Sequence, residues 1–207
     1  MPVRNAPVPI IRLRRRVAKL ITNLLSPAVL VAGILLSTAW HTAPSTQKAA
    51  LWGLIAAAAA SFLPITYIIR GVKRGQWSNH HVPERDRRSL PLLVCVGSTT
   101  AGTVLLAWAD APRQLLALIA CMVAALAIAT PITLALKWKI SIHALVAAGV
   151  AVATVVLFHP VWLLPTAVIA AAVMWSRVEI RDHTVGQVIA GAVVGMFATG
   201  VLLPLWS

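Results

Sequence analysis

The chain has 207 residues, 59% of them hydrophobic and only 11% charged, with a mean hydropathy of +0.86. Soluble domains carry roughly 25% charge, so composition excludes an ordinary water-soluble fold. At about 20 residues per crossing, it leaves room for an all-α polytopic membrane protein of six to seven helices and little else. The net charge of +13 has no basic soluble module to carry it, which argues against nucleic acid as the partner.

In chain order, Met1 to Pro9 carries one cation and leads into a basic segment, so no removable signal peptide is expected. Pro9 to Leu25 mixes Ile10, Ile11, Leu13, Val17, Leu20 and Ile21 with a basic cluster. That pattern suits a helix lying on an anionic leaflet, and a simple topology determinant is the plainer reading and the one preferred over specific lipid recognition. Residues 1–23 are therefore read as a basic amphipathic segment and 24–207 as one transmembrane domain. Apolar runs bounded by charge, Pro or Trp predict spans at 24–40, 50–69, 91–108, 114–136, 143–158, 161–175 and 185–206. His159-Pro160 joins the fifth and sixth so tightly that they should form an antiparallel hairpin. Cys95 and Cys121 fall inside apolar runs and read as small packing residues.

Basic residues near span ends are retained on the cytoplasmic side. Seven crossings place Arg4, Arg12, Arg14, Arg15, Arg16 and Lys19 on the same face as Arg70, Lys73, Arg74, Arg85, Arg87 and Arg88, and add Lys137, Lys139, Arg177 and Arg181. Of the 18 Lys and Arg, only Lys48 and Arg113 fall on the other face. The basic face is taken as cytoplasmic, with the N-terminus on it, the C-terminus opposite, and a bacterial plasma membrane as the expected location. Trp residues sit at predicted span ends, where an interfacial belt places them. Oligomeric state has no signature in the sequence.

Three loops on the basic face hold nearly all the polar chemistry: His80 to Pro91, Lys137 to His143, and Ser176 to His183 followed by Thr184-Val185-Gly186-Gln187. Each offers cations. Two place a His at the beginning of a helix, where unpaired backbone N–H groups and the helix dipole favour an anion. A phosphorylated ligand fits that environment, as Arg binds phosphate oxygens bidentately and Lys adds a point charge. The bland alternative is a set of solvated positive-inside loops with incidental histidines.

The third loop reads Ser176-Arg177, five residues, His183, three residues, Gln187. It resembles the third signature of the type 2 phosphatidic acid phosphatase superfamily, in which Asp stands where this chain has Gln187. Ile140-Ser141-Ile142-His143 is similar to that superfamily's Pro-Ser-Gly-His signature, with Ser and His retained. Arg85 and Arg88 before Pro91 resemble a degenerate first signature, with His81 in place of its Lys. The likeness covers residues of about 78 to 200, in the family's order and with a helical hairpin between the second and third signatures.

The resemblance implies a lipid phosphatase that needs no metal or cofactor and acts on a phosphorylated lipid, polyprenyl or phosphatidate-like, whose tail stays in the bilayer. His183 would attack phosphorus and form a phosphohistidine, and His143 would protonate the leaving oxygen. Arg85, Arg88 and Arg177 would clamp the phosphate, with Ser141 as a hydrogen-bond donor and Lys139 as a substitute cation. Gln187 lacks the charge of the family's orienting Asp, a loss that could reach about 10⁴ in rate by analogy with a catalytic triad. Ile142 stands where the family has Gly. These departures leave open a second expectation, a catalytically silent member that binds lipid phosphates or partner proteins. A transporter or channel finds little support, since the spans contain almost no ionisable residues.

Overall fold

The computed structural model describes residues 9–76, 89–135 and 138–206. Among these the chain is all-helical, with no strand: α1 (Pro9–Leu24), α2 (Pro27–Thr42), α3 (Thr46–Ala57), α4 (Leu63–Lys73), α5 (Ser89–Trp108), α6 (Arg113–Leu134), α7 (Ile142–Leu157), α8 (Leu163–Glu179) and α9 (Val185–Trp206). A π-helical turn, Ala58–Phe62, makes α3 and α4 one continuous helix. Residues 80–88 of the first loop, including His81, Arg85 and Arg88, lie outside the described residues, as do Lys137 and Trp77.

Every predicted span corresponds to a helix or a joined pair of helices. Four are long and apolar enough to cross a bilayer: Thr46–Lys73, Arg113–Thr133, Pro160–Glu179 and Val185–Trp206. The pair α1 and α2, bent by 42°, makes a fifth if taken as one span. That angle makes α1 an oblique extension of α2. Apolar stretches in α5 (Leu93–Trp108) and α7 (Ile142–Leu157) are shorter; the 16 residues of α7 rise about 24 Å, less than a hydrocarbon core of roughly 30 Å.

Local chemistry sets the boundaries. Ser26 is extended and Pro27 supplies a preset φ at the first turn of α2. The Ser45 hydroxyl accepts the Lys48 amide to start α3. His159 caps the short 3-10 turn Pro160–Trp162 by accepting the Val161 amide at its Nδ1, and α7 and α8 pack together as the predicted hairpin. One core cluster, built on Leu35, Trp52, Leu106, Leu115 and Leu118, binds α2, α3, α5 and α6. The Trp52 indole N–H donates to the Ala109 carbonyl at 3.0 Å. Cys121 is fully buried in this cluster.

Among the described residues α7 and α9 pack extensively, and small residues permit a close approach. A Cβ at Gly191 would meet the Ser141 carbonyl, and one at Gly195 would meet the Leu145 carbonyl, both inside any tolerable separation. Glycine at this four-residue spacing lets two helix backbones touch. By contrast, α8 exposes Leu163, Leu164 and Val168, and α9 exposes Phe197, Val201 and Leu205. This outward apolar surface is what lipid would cover.

Candidate functional site

The contact of α7 with α9 brings the second and third loops together. The Ser141 amide donates to the Gln187 carbonyl at 3.0 Å, which ties the start of α7 to the first turn of α9. Ser141 is also the N-cap of α7, its hydroxyl accepting the Ala144 amide at 3.4 Å. This places His143 in the first turn of α7, 7% exposed.

The end of α8 arranges the third loop by the hydrogen bonds of a Schellman turn. The Arg181 amide donates to the Val178 carbonyl at 2.9 Å and the Asp182 amide to the Arg177 carbonyl at 3.2 Å. Such a turn needs a left-handed residue, and Arg181 takes it at φ 63°, a conformation that costs a side-chain-bearing residue roughly 1–2 kcal/mol. The reversal folds the Asp182 carboxylate back onto Arg177, with Nη2 to Oδ2 at 2.7 Å. The neighbouring His183 amide also points at the Arg177 carbonyl, at 3.3 Å. The Asp182 carboxylate thus serves the Arg177 cation.

His183 is 7% exposed, with Nδ1 3.2 Å from the Lys139 carbonyl oxygen. A carbonyl only accepts, so Nδ1 is the donor in this contact, and in the neutral form of a ring so held the lone pair lies on Nε2. The Lys139 ammonium donates to the Asp182 carbonyl at 3.4 Å, a second link between the loops. Gln187 starts α9: its side-chain oxygen accepts the Thr184 amide at 3.1 Å while the Thr184 hydroxyl accepts the Gln187 amide at 3.3 Å. This reciprocal arrangement is a capping box. Its Thr-x-x-Gln spacing stands in the sequence at 184–187.

Arg177 is 2% exposed. Its Nη2 is engaged by Asp182, but Nε and Nη1 are buried without a hydrogen-bond partner among the described residues. Leaving guanidinium donors unpaired away from water is costly, and an acceptor entering the site would offset that cost. Arg177, His143 and His183 share one cavity of about 480 Å³. The rest of its wall is mostly apolar, with Val31, Ile65, Leu118, Met122, Leu145 and Val150 among the lining side chains, and Asn23 and Ser26 contribute at the end of α1. Three predicted site residues thus line one space, Ser141, Lys139 and Gln187 organise its backbone, and Arg85 and Arg88 lie outside the described residues. The cavity itself, and the Lys139 carbonyl as partner of His183, have no signature in the sequence.

Comparison of the chain with protein-family models, with curated proteins and with solved structures returns no match.

Proposed function

We propose that the chain is a membrane lipid phosphatase that hydrolyses the phosphate monoester or diphosphate of a lipid through a phosphohistidine at the cytoplasmic face. The single observation that carries this reading is the buried, half-satisfied Arg177 guanidinium, which lines the same mostly apolar cavity as His143 and His183. Phosphate oxygens supply the acceptors that Nε and Nη1 lack, and the apolar wall suits a hydrocarbon tail. In the reaction His183 Nε2 forms a bond to phosphorus as the phosphorus–oxygen bond to the lipid breaks. His143 delivers a proton to the departing oxygen, and water then cleaves the phosphorus–nitrogen bond. The reading takes α2, the joined α3 and α4, and α5 to α9 as seven crossings, which puts the loops of this site on the basic side with the N-terminus.

A second reading, a silent descendant that binds lipid phosphates or partner proteins, is favoured by Gln187. Its side-chain oxygen is committed to the Thr184 cap, and it brings no negative charge to stabilise an imidazolium on His183. Phosphate release by detergent-purified protein from prenyl phosphates, prenyl diphosphates and phosphatidate separates the two. Turnover that His183→Ala abolishes, with the fold retained, supports the phosphatase. No turnover from any of these lipids by folded protein that still binds them removes it in favour of the silent reading.

A further inference from the structure

The proposed chemistry makes no use of α1, which has three distinct faces. One packs on α8: Ala18 and Thr22 are buried there, and Arg14 pairs with Glu179 at 2.8 Å. A second carries Leu13, Val17, Leu20 and Leu24, between 41% and 62% exposed, within an arc of about 60° at 100° per residue. The third carries Arg12, Arg15, Arg16 and Lys19, all exposed, within an arc of about 100°.

An apolar stripe and a row of cations side by side along one helix are satisfied together at the boundary between acyl chains and anionic headgroups. Long basic side chains reach outward to the headgroups while the leucines enter the hydrocarbon. A second copy of this chain is a poor occupant, because each copy carries a net charge of +13.

The attachment of α1 to α8 is specific. The Ser176 hydroxyl donates to the Val173 carbonyl at 2.7 Å, so its oxygen receives the Thr22 hydroxyl proton, at 2.9 Å and fully out of water. Ser176 adjoins Arg177 in the last turn of α8, and Asn23 and Ser26, at the other end of the same attachment, line the cavity with Arg177. A shift of α1 therefore moves a cavity wall and the turn that carries the buried cation. We propose that α1 docks on an anionic lipid leaflet, and that its hydrogen bond to Ser176 ties the position of Arg177 to that contact.

The test is amide hydrogen exchange by mass spectrometry on the full chain in nanodiscs of phosphatidylcholine, alone or mixed with phosphatidylglycerol. Anionic lipid slows exchange across residues 10–24 by about tenfold or more, at roughly fivefold per cation engaged, and molar salt reverses the effect. The combined substitution Arg12→Gln, Arg15→Gln, Arg16→Gln and Lys19→Gln removes the response, while unchanged exchange in α9 reports an intact fold. Residues 174–183 also slow with anionic lipid in the wild type, and Thr22→Val uncouples them while α1 still responds. Exchange in α1 that ignores leaflet charge, or a response that the quadruple variant keeps, overturns the docking. Residues 174–183 that fail to follow α1 in the wild type overturn the tie. Neither readout depends on phosphate release, so failure of the phosphatase reading is seen separately.

Discussion

Arg177 and the two residues that hold its turn set the character of the site. The guanidinium is buried and the Asp182 carboxylate is only about one-third exposed (side-chain accessibility 2% and 35%). Asp182→Asn leaves the cation without its counter-charge, and we expect a loss of about 1–3 kcal/mol, below the figure for a fully buried pair because water reaches the Asp side. Denaturant unfolding in detergent measures it, and an unchanged midpoint would show that the pair contributes nothing. Arg181 offers the opposite case. Its left-handed backbone is relieved by glycine, so Arg181→Gly should gain about 0.5–1 kcal/mol, the relieved strain being partly offset by greater freedom in the unfolded chain. Strain held one residue from Asp182 and two from His183 fits the general placement of such strain at functional sites.

At the scale of elements, the contact of α7 with α9 builds the site, because it brings Ser141 and His143 to the loop that carries His183. Gly195→Val would drive a side chain into the Leu145 carbonyl and force the helices apart. We expect a loss of about 1–3 kcal/mol, with a fall in any phosphate release that exceeds the loss of folded protein. Gly33→Ala is the control, since a Cβ there meets nothing within 4 Å and alanine is favoured over glycine inside a helix by about 1 kcal/mol. Thermal unfolding of the two variants should therefore shift in opposite directions.

For the whole molecule, the proposed seven crossings make a topological prediction. With Cys95→Ala and Cys121→Ala as background, a cysteine at Lys48 should react with an impermeant thiol reagent from outside the cell, and one at Arg181 only after the membrane is opened. Reaction of both from one side would remove the seven-crossing arrangement and the cytoplasmic placement of the site with it.

The helices themselves were legible in the sequence, because apolar runs interrupted by charge and proline leave the backbone no other way to satisfy its polar groups in lipid. So were His143, Arg177 and His183 as residues that belong together, since their order and spacing survive without three-dimensional information. What Gln187 does was half legible: Thr184-x-x-Gln187 is a capping pattern, while the resemblance puts Gln187 at the place of an orienting Asp. The Lys139 carbonyl on His183, the Asp182 carboxylate on Arg177 and the cavity between them were not legible. Each depends on where a backbone turns and which helices touch. Sequence alone determined an all-helical, strongly apolar chain with polar loops grouped by charge. Only the tertiary structure decided that two of those loops meet and line one cavity, because glycines 191 and 195 allow an approach of α7 and α9 that periodicity permits but does not specify.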